Sequence, residues 1–175
     1  MITYVQGGFF TSPAAVLVNT VNTVGIMGKG IAKEFKAIYP EMFEVYQDAC
    51  ERGDFQIGSL LLYRSEHKSV LNFPTKRHWK QKSQLADIEA GLKAFVEQYD
   101  ELRISTIAFP QLGCGNGELD WPAIIAALRS IGYGPQRVGA DFLGLGPNCR
   151  YRSGHKRERQ TLLLASAHPD SGLHF

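Results

Sequence analysis

Two spacings of apolar residues alternate along this chain. Continuous apolar runs at Ala14–Asn19 and Ile104–Pro110 mark strands covered on both faces. Elsewhere apolar residues recur at three- and four-residue intervals, the stripe of an amphipathic helix. Ile31, Phe35 and Ile38 form one such stripe, which Pro40 stops, and Phe43, Tyr46 and Ala49 face inward from a second helix over Glu41–Arg52. The longest stripe lies within Ser83–Tyr99, with Leu85, Ile88, Leu92, Phe95 and Val96 on one face. Shorter runs at Ile2–Val5, Gly58–Tyr63 and Ser69–Phe73 predict further strands. Asp120 as N-cap and Pro122 in the first turn predict a helix over Asp120–Ile131. Arg137–Leu145 is expected as a last strand, weakened by Gly139 and Gly144, and Gln160–Ala167 either adds a strand or docks elsewhere.

Strands alternating with helices predict an α/β sheet with helices on both faces. In such sheets ligands sit in a crevice beyond the strand ends. The pattern fits one domain over residues 1–147, with a basic tail at 148–175 that is not a separate domain. The 175 residues suffice for a proper core, and 44% apolar with 21% charged residues is ordinary for a globular protein. No apolar run approaches the roughly 20 residues of a membrane span, so no membrane partner is expected. Met1-Ile2-Thr3-Tyr4-Val5 is too short for a signal peptide and has no basic lead-in. Cys50, Cys114 and Cys149 are scattered, and His67, His78, His155, His168 and His174 lack metal-ligand spacing. A reducing, cytoplasmic setting without a bound metal is the simplest expectation. The net charge of +2 hides an asymmetry: the tail carries five basic residues against two acidic ones, a net of +3, which leaves −1 for the rest. The globular part is therefore not a basic nucleic-acid binder overall, though a local basic patch remains open.

The chemistry lies where both long strands run into glycine-rich loops that lead into helices. The first is Val24-Gly25-Ile26-Met27-Gly28-Lys29-Gly30, the second Gly113-Cys114-Gly115-Asn116-Gly117. Glycine lets backbone approach closely, and free N–H groups at a helix start favour anions, so the pair predicts a clamp around a diphosphate. The first loop lacks the GxxxxGK[ST] spacing, and Gly30 stands where a magnesium-binding hydroxyl is needed, which argues against a nucleoside triphosphatase. Asn22, just before it, either binds ribose hydroxyls or stabilises the turn. Cys114 is a nucleophile or, the better reading, a small side chain in a tight loop. Thr75 through Lys82 concentrates Lys76, Arg77, Lys80 and Lys82 around His78 and Trp79. Such a stretch grips a nucleic-acid strand, places one lysine in the crevice, or is simply a solvated basic turn.

Together these residues resemble the macrodomain family, the ADP-ribose-binding α/β/α sandwiches. The order is strand, Asn-x-x-Asn, GxMGKGIA, apolar strand, GCGNG, helix, and it covers roughly residues 1–147. The segments VNTVNTVGIMGKGIAKEF, NFPTKRHW and PQLGCGNGELDW are similar to the DarG-type branch, antitoxins that remove ADP-ribose from thymidine in DNA. The resemblance implies a three-layer sandwich with a central mixed sheet. It implies a hydrolase without a cofactor, with ADP-ribose as ligand and product. ADP-ribosylated single-stranded DNA would be the substrate, and a cognate ADP-ribosyltransferase toxin a partner. Gly28, Lys29, Gly30 and Ile31 with Gly113, Cys114, Gly115, Asn116 and Gly117 would hold the diphosphate and distal ribose, with Asn19 beside them. Asn22 would act near the scissile bond, Lys76 matches the catalytic lysine, and Lys80 is the second candidate. Arg77, His78, Trp79, Lys80 and Lys82 would contact DNA.

The chain also departs from that pattern. Gly7-Gly8-Phe9 puts glycine where the family has an acidic residue for adenine, leaving Phe9 or Phe10 to stack instead. Gly117 stands where the branch that cleaves ADP-ribosyl-glutamate has an aspartate. Alternatives are therefore a non-catalytic ADP-ribose-binding module, a hydrolase of protein-linked ADP-ribose, and a nucleic-acid binder working through the basic stretch and tail.

Overall fold

A computed structural model of the chain describes residues 2–6, 8–130 and 160–165. The strands are β1 (Ile2–Gln6), β2 (Val16–Asn22), β3 (Leu61–Tyr63), β4 (Ser69–Lys76), β5 (Thr106–Phe109) and β6 (Gln160–Ala165). The helices are α1 (Gly30–Ile38), α2 (Pro40–Glu51), α3 (Leu85–Gln98) and α4 (Trp121–Ser130). The strands form one mixed sheet in the order β1-β6-β5-β2-β4-β3. β2 runs parallel to both β4 and β5, while β3, β6 and β1 join antiparallel.

Side chains alternate across the three parallel strands and so build two cores. Val16 and Val18, Leu71 and Phe73, Ile107 and Phe109 pack with Ile88, Leu92 and Phe95 of α3 and Ile124 and Leu128 of α4. Leu17, Val21, Val70 and Ala108 face the other way, against α1 and α2. The sheet lies between two helical layers, which is the expected α/β/α sandwich. Because β2, β4 and β5 are parallel neighbours, the loops that follow them leave from one edge of the sheet. That places both glycine loops and the basic stretch side by side.

Several boundaries move. β2 starts at Val16 and continues through Asn22, and β4 continues through Lys76. After a bulge between Val21 and Asn22, Asn22 and Lys76 are register partners, so both sit on paired backbone rather than in loops. β3 pairs only with Val70–Asn72, so Pro74 lies past that stretch, where a missing N–H is tolerated. Pro40 opens α2 as well as ending α1. Met42 takes the inward place expected for Phe43, which is half-buried beneath the Lys36 ammonium, 3.7 Å from its ring centre.

The strand expected at Arg137–Leu145 lies outside the described residues. β6 instead occupies the gap between β1 and β5, antiparallel to both. The domain boundary expected at residue 147 therefore falls short of a strand that lies inside the sheet. Only residues 160–165 of the expected tail are described.

Candidate active site

Asn22 shapes the first loop. Its Oδ1 accepts the backbone N–H groups of Val24 at 3.0 Å and Ile26 at 3.3 Å, and its Nδ2 donates to the Ile26 carbonyl at 2.6 Å. The Tyr46 hydroxyl donates to the Asn22 backbone carbonyl at 2.7 Å, and burial raises the Tyr46 pKa, keeping it a donor. The turn-stabilising reading of Asn22 is thus the one its bonds express, with little capacity left for a ribose. Asn19, expected to bind ligand, has no exposed surface, and its Nδ2 donates to Asn72 Oδ1 at 2.9 Å on the neighbouring strand. It braces the strands beneath the loop instead of lining a crevice.

The loop ends at Lys29, which precedes α1 without a side-chain cap, and the first turn carries no acid. First-turn N–H groups have no intrahelical acceptor, so those of Gly30, Ile31 and Ala32 are available to an anion. The Ile31 side chain is buried in the core beneath α1 and α2, which leaves its backbone alone on the loop side.

The second loop folds back on itself, with Leu119 N–H donating to the Gly113 carbonyl at 3.0 Å and Glu118 N–H to the Gly115 carbonyl at 3.3 Å. Gly115 and Asn116 are exposed at its tip, whereas Gly117 is buried. A Cβ on Gly117 would sit 2.2 Å from the Gly113 carbonyl oxygen and 2.3 Å from Ser83 Oγ, so no side chain fits there. The two loops meet: a Cβ on Gly30, whose φ is +59°, would lie 3.0 Å from Asn116 Nδ2. Cys114 Sγ donates to the Leu112 carbonyl at 3.3 Å, and burial, helped by Asp120, pushes the thiol up to about 11. It is a protonated loop side chain at neutral pH, not an activated nucleophile.

The basic stretch ties the two loops together. Lys76 Nζ donates to the Asn116 backbone carbonyl, and Ser83 N–H donates to the Gly117 carbonyl at 3.1 Å. Thr23 Oγ1, just before the first loop, donates to the Arg77 carbonyl at 2.8 Å. Burial lowers the Lys76 pKa, and Glu118 works against that. Arg77 and Lys82, expected on DNA, both have partners within the fold. Arg77 Nη2 lies 2.8 Å from the buried Asp87 carboxylate at the head of α3, and Lys82 Nζ lies 2.7 Å from Glu118. His78 stacks on Trp79 with ring centres 5.5 Å apart, and the Lys80 ammonium sits 4.9 Å from the Trp79 ring. Trp79 is 48% exposed, so His78, Trp79 and Lys80 form the outward face of the stretch. Lys80 belongs to that face, whereas Lys76 alone of the two lysines is bonded into the second loop.

Phe9 is buried and Phe10 half-buried, and the two rings pack edge-on against each other and against Phe35. A cavity of about 270 Å³ opens behind the first loop, against Lys36, Phe43 and Gln47, and none of its lining comes from the second loop. Sequence reading passed over Thr23, Asn72 and Glu118. Asn72 carried a signal, since an amide inside an apolar run needs a buried partner.

A family model described as Macro domain matches residues 18–127. The DNA ADP-ribosyl glycohydrolase of Mycobacterium tuberculosis is 49% identical over 134 residues, which is 74% of this chain and 38% of that protein. The solved macrodomain of Mycobacterium tuberculosis DarG superposes with a TM-score of 0.71 at 46% identity, covering 74% of this chain and 88% of that one. A DNA ADP-ribosyl transferase–DNA ADP-ribosyl glycohydrolase fusion protein of Thermosipho africanus is 39% identical over 142 residues, 70% of this chain and 37% of the fusion. The structure of Thermosipho africanus DarTG in complex with ADP-ribose matches with a TM-score of 0.68 at 39% identity, covering 71% of this chain and 36% of that one. The chain thus spans under two fifths of the length of these curated relatives.

Proposed function

The chain belongs to the macrodomain family, and from that premise we propose that it is a DNA ADP-ribosyl glycohydrolase that removes ADP-ribose from thymidine in single-stranded DNA. The observation that carries this reading is the meeting of Gly30 and Asn116 beside a lysine bonded into the second loop. The N–H groups of Gly30, Ile31 and Ala32 and the second loop's backbone would clasp the pyrophosphate, which brings the distal ribose to Lys76. A partly desolvated lysine keeps a neutral, nucleophilic fraction. That amine attacks the anomeric carbon as oxocarbenium character develops, the bond to thymine breaks, and the base leaves with a proton. The ribosylamine so formed opens to an imine on the lysine, which water hydrolyses to release ADP-ribose and restore the amine. The Mycobacterium tuberculosis relative, a DNA ADP-ribosyl glycohydrolase, supports ADP-ribose linked to DNA as the substrate. The Thermosipho africanus fusion supports an ADP-ribosyltransferase as partner, whose modification this chain would reverse as antitoxin.

Lys76→Ala tests the reading directly. Cleavage of an ADP-ribosylated single-stranded oligonucleotide should fall at least about a hundredfold while ADP-ribose still binds by calorimetry. Borohydride added during wild-type turnover should fix ADP-ribose onto Lys76, detectable by mass spectrometry. Equal rates for the two proteins would remove Lys76 from the chemistry, and no ADP-ribose binding would remove the function. One observation favours a second reading, a module that binds ADP-ribose without cleaving it. Gly117 leaves no room for the loop carboxylate that the glutamate-cleaving branch uses. Wild-type protein that binds ADP-ribose yet releases none from DNA or from ADP-ribosyl-glutamate would establish that reading.

A further inference from the structure

The cavity behind the first loop takes no part in the clamp. It is lined by residues 25–28 of that loop, by Lys36 of α1, and by Phe43 and Gln47 of α2. Three chemistries meet there. Ile26 is 44% exposed and Phe43 half-buried, so apolar surface is left uncovered. Gln47 brings an amide that both donates and accepts. Lys36 is exposed, and its ammonium rests 3.7 Å from the Phe43 ring centre. No carboxylate is among the lining residues: Glu44 and Asp48 follow Phe43 and Gln47 on α2 but stand outside the cavity. The volume of about 270 Å³ is just below the roughly 300–1,000 Å³ of small-molecule pockets, which suits one nucleotide.

The cavity also lies close to Lys76 along the chain. Asn22 is the register partner of Lys76, and its amide oxygen accepts the N–H groups of Val24 and Ile26. Thr23 is bonded to the Arg77 carbonyl. The link from the catalytic lysine to the cavity is thus a few residues of loop, and Val24 and Ile26 expose apolar side chains along it. Five large apolar side chains are exposed among the described residues, and three of them, Val24, Ile26 and Trp79, lie on the two segments that leave the Asn22–Lys76 pair. One exposed apolar side chain is ordinary, whereas a group around one lysine marks a binding surface.

We propose that this cavity is a nucleotide subsite, which takes the residue next to the modified thymidine in the DNA strand. The base lies against Ile26 and Phe43 with its polar edge toward Gln47, and the phosphate lies on Lys36. The position of the subsite in the reaction rests on the glycohydrolase reading. His78, Trp79 and Lys80 hold the strand on the other side of Lys76, so the reacting nucleotide is gripped from both flanks and its anomeric carbon is placed.

The full chain tests this with an unmodified single-stranded oligonucleotide, followed by fluorescence anisotropy. Lys36→Gln should weaken binding several-fold and lower the salt slope by about 0.7, the share of one phosphate contact, and Lys36→Arg should restore both. An abasic sugar at one position of the strand should weaken wild-type binding about tenfold, the worth of one stacked base. That penalty should shrink in Phe43→Leu, which keeps an apolar side chain without the ring and whose melting temperature checks its folding. At a second position the penalty should shrink in Trp79→Ala instead. In turnover, Lys36→Gln should raise KM several-fold more for an ADP-ribosylated oligonucleotide than for ADP-ribosyl-thymidine without neighbours. Wild-type protein that does not bind the oligonucleotide overturns the proposal. So do affinity and slope unchanged in Lys36→Gln, which would leave the patch to a protein partner, and abasic penalties equal in wild type and Phe43→Leu at every position. Expected anisotropy results without wild-type turnover would end the glycohydrolase reading and leave the nucleotide subsite standing.

Discussion

Asn19 and Asn72 set two amides side by side on the neighbouring strands β2 and β4, and both are fully buried. Asn72 Nδ2 reaches the Met42 sulfur at 3.2 Å and Asn19 Nδ2 the Met27 sulfur at 3.7 Å, so the amides also pin one residue of the first loop and one of α2. Removing one partner strands the other away from water. Asn72→Ala should therefore lower stability by about 1–3 kcal/mol in urea unfolding. The double change to leucine should recover part of that loss, since replacing both partners leaves no orphan. Asn22 acts similarly at the end of β2. Its amide is spent on the loop.

The basic stretch shows best what local pattern carries and what it does not. Four cations around a tryptophan are visible in the sequence, but their separate tasks depend on what the fold sets opposite each one. Arg77 meets Asp87 because α3 begins there, and Lys82 meets Glu118 because the second loop folds back. Trp79→Ala should weaken single-stranded DNA binding by about 1–3 kcal/mol, the worth of one stacked base, with the salt dependence unchanged. Arg77→Met should instead destabilise the protein on heating, because it leaves the Asp87 carboxylate buried and unpaired. Equal loss of DNA affinity in both variants at unchanged stability would contradict this division. The strands β2 and β5 and their glycine loops were legible because burial on both faces demands an unbroken apolar run and a tight turn demands glycine. The inward face of α2 was misjudged by one residue, since Met42 and Phe43 are both apolar and only packing chooses between them. The role of Asn22 was open because an amide before glycine serves a turn and a ligand equally well.

Across the whole molecule, the active edge is a consequence of three parallel strands ending together, and the opposite flank is a consequence of β6. A strand within Gln160–Ala167 was one of two options visible in the sequence, but its place between β1 and β5 was not, because strand order is set by topology and not by local pattern. A chain ending at residue 147 should therefore lack a stable sheet. It should lose its cooperative thermal transition in circular dichroism, whereas the full chain keeps it. A shortened chain that melts as the full one does would show β6 to be dispensable. Among the described residues no helix is long and apolar enough to cross a membrane.

The position of β6 also sets an order of assembly. β1 is the earliest strand, yet its neighbour in the sheet arrives more than 150 residues later. Until then, the flank of β5 that β6 will cover presents open N–H and C=O groups to any extended segment nearby. Slow closure is the direct cost of so distant a pairing. At high concentration the same slot can accept the corresponding strand of another copy, so refolding from denaturant should yield exchanged dimers in proportion to protein concentration.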